Sequence, residues 1–210
     1  MLDSDIVKQL KEVFKKLEGT INLEVFSSNH NKSKELIGLL EEVSSTSDKI
    51  KVTHINKESS FPRFSLKSND KELGIMFSGI PGGHEFSSLI LTILYADKKG
   101  KLPDKNVIDR IKNLKGPISL KTFISLSCEN CPEIVQNLNL MACIKEDFSH
   151  EMIDGEYLSD EVNKLNIQGV PSIFNNTELI HSGKISLINL LEKLEEKFGK
   201  SDIALLPKET

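Results

Sequence analysis

The sequence predicts an α/β protein built as two copies of one plan placed in tandem. Three observations predict it. The order of helical and strand patterns runs through once and then starts again; short anchors stand at matching places in the two passes; and a Cys-x-x-Cys sits where a strand pattern gives way to a helix.

The elements follow in order. From Asp3, the apolar positions Ile6, Leu10, Val13, Phe14 and Leu17 recur at helical spacing until Gly19 stops them. Ile21 to Phe26 alternates with period two and predicts a strand, Ser27-Ser28-Asn29 breaks it, and Leu36, Ile37, Leu39, Leu40 and Val43 resume helical spacing. Lys49 to Ile55 reads as a strand. Phe64-Ser65-Leu66 and Ile75-Met76-Phe77 flank the turn residues Ser68-Asn69-Asp70 as a hairpin. A helix over Glu85 to Tyr95 completes the first pass, and Lys98 to Lys101 is a polar connection.

The second pass repeats the order. Val107, Ile108, Ile111 and Leu114 make a helix, Ile118 to Leu126 a strand, Glu133 to Met141 a helix, and His150 to Asp154 a strand. A short helix covers Leu158 to Leu165. Ser172-Ile173-Phe174 and Glu178-Leu179-Ile180 form a hairpin about Asn175-Asn176-Thr177, and the last helix carries Leu187, Leu190, Leu191, Leu194 and Phe198. The anchors align: Phe61-Pro62-Arg63-Phe64 with Val170-Pro171-Ser172-Ile173, Ser78-Gly79 with Ser182-Gly183, and Phe26-Ser27-Ser28 with Leu126-Ser127-Cys128. Each pass, with proline opening its hairpin, matches the thioredoxin fold in pattern; the periods alone leave other α/β sandwiches open, and the placement of the Cys-x-x-Cys narrows the choice. The expected division is 1–100, 101–199 and a linker or tail over 200–210.

Composition narrows the function. At 210 residues, 38% apolar and 28% charged, the chain has the make-up of a globular protein with a substantial core. Its formal net charge of −4 leaves no basic surplus to neutralise phosphates, so nucleic acid is not the expected partner. Only Arg63 and Arg110 among the 27 cations are arginines, which argues against a nucleotide-gripping enzyme. No secretory signal and no membrane-length apolar run stands in the sequence, and the expected location is cytoplasmic.

Cys128-Glu129-Asn130-Cys131-Pro132 follows the strand ending Phe123-Ile124-Ser125-Leu126. At a helix N-terminus, free backbone N–H groups and the dipole favour a thiolate, which makes Cys128 the candidate nucleophile. Cys131, three positions on and screened by the helix, suits resolution of a mixed disulfide. A structural zinc half-site and a pair of core cysteines are the competing readings; Cys143 and His150 offer no second ligand pair at finger spacing, and redox chemistry is favoured. Gly169-Val170-Pro171 fits a cis-proline loop that offers the Val170 backbone to an extended substrate, with a trans proline at a strand start as the alternative. Cys143 is expected in the core, and His30, His54, His150 and His181 on the surface.

These residues resemble the N-terminal region of the F subunit of alkyl hydroperoxide reductase, a flavoprotein that reduces a peroxiredoxin. The stretches that carry the resemblance are Phe77-Ser78-Gly79-Ile80-Pro81-Gly82-Gly83-His84-Glu85-Phe86, Ser125 to Pro132, Leu138-Asn139-Leu140-Met141 and Gly169-Val170-Pro171. The resemblance implies two tandem thioredoxin-like (glutaredoxin-like) folds packed as one unit, with redox cysteines only in the second. It implies electron relay from a flavoprotein to a peroxiredoxin. Ser28 and Asn31 stand where the first copy's cysteines would be, and Glu129 replaces a frequent histidine, which disfavours the neighbouring thiolate modestly. The segment at His84 and Glu85 is expected to face the motif, where Glu85 either shuttles the proton of thiol exchange or only complements a helix start.

The expected site is therefore Cys128, Cys131 and Glu85 as catalytic residues, with Ser127, Glu129, Asn130, Val170 and Pro171 contacting substrate and no metal. No cofactor is expected beyond the redox disulfide. No G-x-G-x-x-G occurs, and FAD and NAD(P)H are assigned to a thioredoxin-reductase-like flavoprotein, in cis if the chain is a fragment or in trans if it is a short form. The rival functions are a general protein disulfide reductase or isomerase and a non-catalytic binding module.

Overall fold

A computed structural model describes residues 2–201, so most of the expected tail lies outside the described residues. The elements are α1 (Ser4–Phe14), β1 (Ile21–Ser27), α2 (Ser33–Ser44), β2 (Ile50–Glu58), β3 (Arg63–Ser68), β4 (Lys71–Ser78), α3 (Phe86–Ala96), α4 (Lys105–Lys112), β5 (Ile118–Ile124), α5 (Cys131–Ile144), β6 (Phe148–Asp154), α6 (Ser159–Lys164), β7 (Ser172–Asn175), β8 (Glu178–Ser182) and α7 (Leu187–Phe198). Short 3-10 turns at Gly83–Glu85 and Gly155–Leu158 precede α3 and α6. The fold is two tandem thioredoxin-like units. Every predicted helix and strand is present. The first hairpin is longer than its apolar pattern, since Asn69 and Asp70 both take positive φ (48° and 64°), the conformation of a tight two-residue hairpin turn.

All eight strands form one sheet in the order β2-β1-β3-β4-β6-β5-β7-β8. The repeats join through a parallel β4–β6 pair, with Ile75 opposite His150 and Ser78 opposite Ile153. Because β1 and β4 run parallel to each other through the antiparallel β3, and β6 and β5 run parallel in turn, the C-terminal ends of β1 and β5 open on the same edge of the sheet. One large apolar core draws on both repeats, from Leu10 and Phe14 of α1 to Leu190 and Leu194 of α7. A smaller cluster of Phe123, Ile153 and Phe174 lies on the opposite face of β5, covered by Leu158, Val162 and Leu165. Strand β5, which leads to the cysteines, is therefore buried on both faces.

Helices α3 and α5 pack across the join and share a buried hydrogen-bond chain. The Thr92 hydroxyl donates to the Ser88 carbonyl (2.6 Å), and Asn139 Nδ2 donates to Thr92 Oγ1 (2.8 Å). Asn139 Oδ1 is then left to accept from His150 Nδ1 (2.6 Å), which makes Nε2 the acceptor for the Thr122 hydroxyl (2.8 Å). The surface expectation for His150 is thus corrected: it is 1% exposed, because its position on β6 points into the core and Asn139 and Thr122 satisfy both ring nitrogens. Burial pushes its pKa down to about 3. His54 is exposed, while His30 and His181 are half-buried. Cys143 is half-buried against the main core, and burial raises its thiol to about 12. Among the described residues no helix is long and apolar enough to cross a membrane.

Candidate redox site

Strand β5 ends at Ile124, and the turn that follows is tied by the Cys128 N–H donating to the Ser125 carbonyl (2.9 Å). Cys128 and Cys131 form a disulfide with their Cα atoms 5.5 Å apart. Helix α5 begins at Cys131, two residues earlier than its apolar pattern suggests, with Pro132 in the first turn where a missing N–H costs no helical bond. Cys131 is thus the first helical residue, and Cys128 stands in the loop ahead of the helix. The two sulfurs differ in access: Cys128 is half-buried, whereas Cys131 is 0% exposed.

The loop before β7 closes the other side. Val170–Pro171 is a cis peptide. The Val170 carbonyl oxygen lies 3.8 Å from Cys128 Sγ, and Pro171 is buried. Ser127, Glu129 and Asn130, next to the cysteines in the chain, are all exposed. Beyond Ser127 and Val170, a cavity of about 490 Å³ opens between the ends of β5 and β6, α6 and the proline loop.

The first repeat contributes the segment ahead of α3. Gly83 has φ +53°, and a Cβ there would meet the Leu126 carbonyl oxygen at 2.9 Å, so only glycine allows this approach to the loop two residues before Cys128. Glu85 follows, fully buried, and among the described residues neither of its carboxyl oxygens has a hydrogen-bond partner. Desolvation raises its pKa to about 7, outweighing the lowering effect of the nearby Ser88 hydroxyl. The turn holding Glu85 packs against α5. Gln136 of α5 donates to Ser87 Oγ (3.1 Å), which fixes the two helices side by side.

In the first repeat, Ser28 and Asn31 occupy the corner that the cysteines occupy in the second, with Pro62 in a trans peptide. Sequence reasoning missed Asp154, Gln136 and Asn139. A signal for Asn139 existed, since it stands four residues after the buried Val135 on an apolar helix face. Asp154 carries no such signal, because a carboxylate at a strand end reads as solvated.

The comparisons with known proteins agree with this geometry. The Thioredoxin domain family model matches residues 119–196. The F subunit of alkyl hydroperoxide reductase from Staphylococcus aureus (strain MRSA252) is 39% identical over 194 residues, covering 92% of this chain and 38% of that protein. A protein named NADH dehydrogenase from Ferdinandcohnia aciditolerans is 38% identical over 204 residues, covering 97% of this chain and 39% of its own length. The chain therefore spans under two fifths of these curated relatives. The crystal structure of the NTD_N/C domain of alkylhydroperoxide reductase AhpF from Enterococcus faecalis superposes with a TM-score of 0.86 at 26% identity, covering 92% of this chain and all of that one. The chain is a homologue of the F subunit of alkyl hydroperoxide reductase and has the tandem thioredoxin fold of that protein's N-terminal domain.

Proposed function

We propose that the chain is a thiol-disulfide oxidoreductase that relays two electrons from a flavoprotein reductase to a peroxiredoxin. The observation that carries this reading is the single disulfide at the β5–α5 corner, with one accessible sulfur, one buried sulfur and a cis-proline loop beside the accessible one. In the reduced state the Cys128 thiolate attacks the peroxiredoxin disulfide and one peroxiredoxin sulfur leaves as a thiolate. Cys131 then attacks Cys128, restoring the Cys128–Cys131 disulfide and releasing the second peroxiredoxin thiol. A dithiol on the donor reduces the pair again.

Glu85 is assigned the proton. Attack by Cys131 requires its thiol to lose a proton in a buried position, and a carboxyl group with pKa about 7 exchanges protons readily near neutral pH. Val170, Ser127, Glu129 and Asn130 are assigned to backbone and side-chain contacts with the substrate. Ser28 and Asn31 leave the first repeat unable to exchange disulfides, so its share is Glu85 and the surface that carries it. A single redox pair favours a dedicated relay over a general reductase or isomerase.

The test is reconstitution. With a thioredoxin-reductase-like flavoprotein, a peroxiredoxin and hydroperoxide, NAD(P)H consumption should require this chain and should vanish for Cys128→Ser. The chain without the flavoprotein should consume none. Turnover unaffected by Cys128→Ser would overturn the proposal.

A further inference from the structure

We propose that the cavity beside the disulfide is a side-chain subsite that takes a lysine or arginine of the polypeptide substrate, next to the cysteine under attack. The inference rests on the relay reading and adds which substrate side chain the site recognises.

Position supports it first. Ser127 and Val170 line both the cavity and the surroundings of Cys128. A substrate strand held by the Val170 backbone with its cysteine at Cys128 runs past the mouth of the cavity, within reach of a long side chain beside that cysteine.

The lining then selects the side chain. Ile124, Leu126, Val162 and Val170 offer apolar walls, and the volume of about 490 Å³ accommodates one long side chain. Two carboxylates complete the lining: Asp154, 4% exposed at the end of β6, and Glu156, exposed two residues later. The Glu156 N–H donates to Asp154 Oδ1 at 3.2 Å, but among the described residues neither carboxylate forms an ion pair with a lysine or arginine. Lys32 is ion-paired with Glu35 (2.6 Å) and feels the Glu156 charge only from a distance, and Lys121 is ion-paired with Glu161 (3.1 Å). Desolvation and the Glu156 charge both hold the Asp154 pKa above its usual value, and the positive charge of a bound cation would act against that shift. A purely apolar side chain would desolvate Asp154 further without giving it a partner. A basic side chain lays its alkyl stem on the apolar walls and its charge on the carboxylates.

The probes are short peptides that carry one cysteine as a mixed disulfide with 5-thio-2-nitrobenzoate and differ only in the flanking residue: Lys, Leu or Glu. Attack of Cys128 on the peptide sulfur expels the coloured thiolate. Cys131 then displaces the peptide thiol, and the pair ends as a disulfide, its two electrons passed to the probe. At low salt the Lys peptide should react about tenfold faster than the Leu or Glu peptides, a factor equal to about 1.4 kcal/mol. Asp154→Asn with Glu156→Gln should level the Lys and Leu rates while leaving the Leu rate within about twofold of wild type. Glu156→Lys, at an exposed position that tolerates substitution, should make the Glu peptide the fastest. Equal rates in wild type, a Leu preference, or a Lys preference that survives both carboxylate changes would overturn the inference. Failure of every peptide to react would overturn the relay reading itself.

Discussion

Glu85 is a buried carboxyl group at the seam between the two repeats, in the turn that packs against α5. Its raised pKa is first a statement about stability. Folding holds the proton up to about pH 7, whereas the unfolded chain gives it up near 4.5. Between those values the folded state binds more protons, so stability falls as pH rises through the interval, by about 3 kcal/mol in all. Glu85→Gln removes that dependence. Its stability relative to wild type should be near zero at pH 4.5 and should grow to about 3 kcal/mol by pH 8, read from denaturant midpoints. The same variant should slow exchange near neutral pH by roughly 10² if Glu85 moves the proton. A stability gain with an unchanged exchange rate would leave Glu85 a buried group without a catalytic part. Its burial was only partly legible in the sequence: a glutamate at a helix start reads as a dipole partner in water, and nothing local reveals that α5 covers it.

At the scale of elements, α3 and α5 set the relation between Glu85 and the cysteines, because Glu85 precedes one and Cys131 opens the other. The chain Ser88–Thr92–Asn139–His150–Thr122 fixes their register, with each donor met by one acceptor. His150 is the link with a pH signature. Its pKa is depressed to about 3, so the unfolded chain takes up a proton below 6.5 that the folded chain refuses. That contribution is complete above pH 6.5 and is lost as pH falls toward 3, roughly 4–5 kcal/mol over the whole span. From pH 6.5 to 4.5 this loss opposes the gain from Glu85, so wild-type stability should be nearly flat there. In Glu85→Gln the His150 slope should stand alone, about 1.4 kcal/mol per pH unit, measured by denaturant titration at closely spaced pH values. A flat profile in that variant would contradict the buried neutral imidazole. The helices and strands were legible because each has a local period, and the Cys-x-x-Cys corner because strand, cysteines, proline and helix are contiguous. The fate of His150 was not: its partners lie 11 and 28 residues away, and histidine alone is silent about burial.

For the whole molecule, duplication was legible from the anchors, but the continuous sheet was not. The β4–β6 pair joins strands far apart in the chain, Ile75 with His150, and no turn between them sets its register. That pairing brings the Gly83–Glu85 segment of one repeat to the redox corner of the other, so the proposed site draws on both. The two sulfurs should then divide the labour in a way that one gel can read. Wild type, Cys128→Ser, Cys131→Ser and Cys143→Ser, each reduced and mixed with an oxidised peroxiredoxin, are run without reductant. Cys131→Ser should accumulate a covalent heterodimer, because nothing resolves the bond that Cys128 has formed. Cys128→Ser should form little or none, and Cys143→Ser should match wild type. A heterodimer trapped by Cys128→Ser instead would reverse the assigned roles, and its absence from both cysteine variants would contradict the relay.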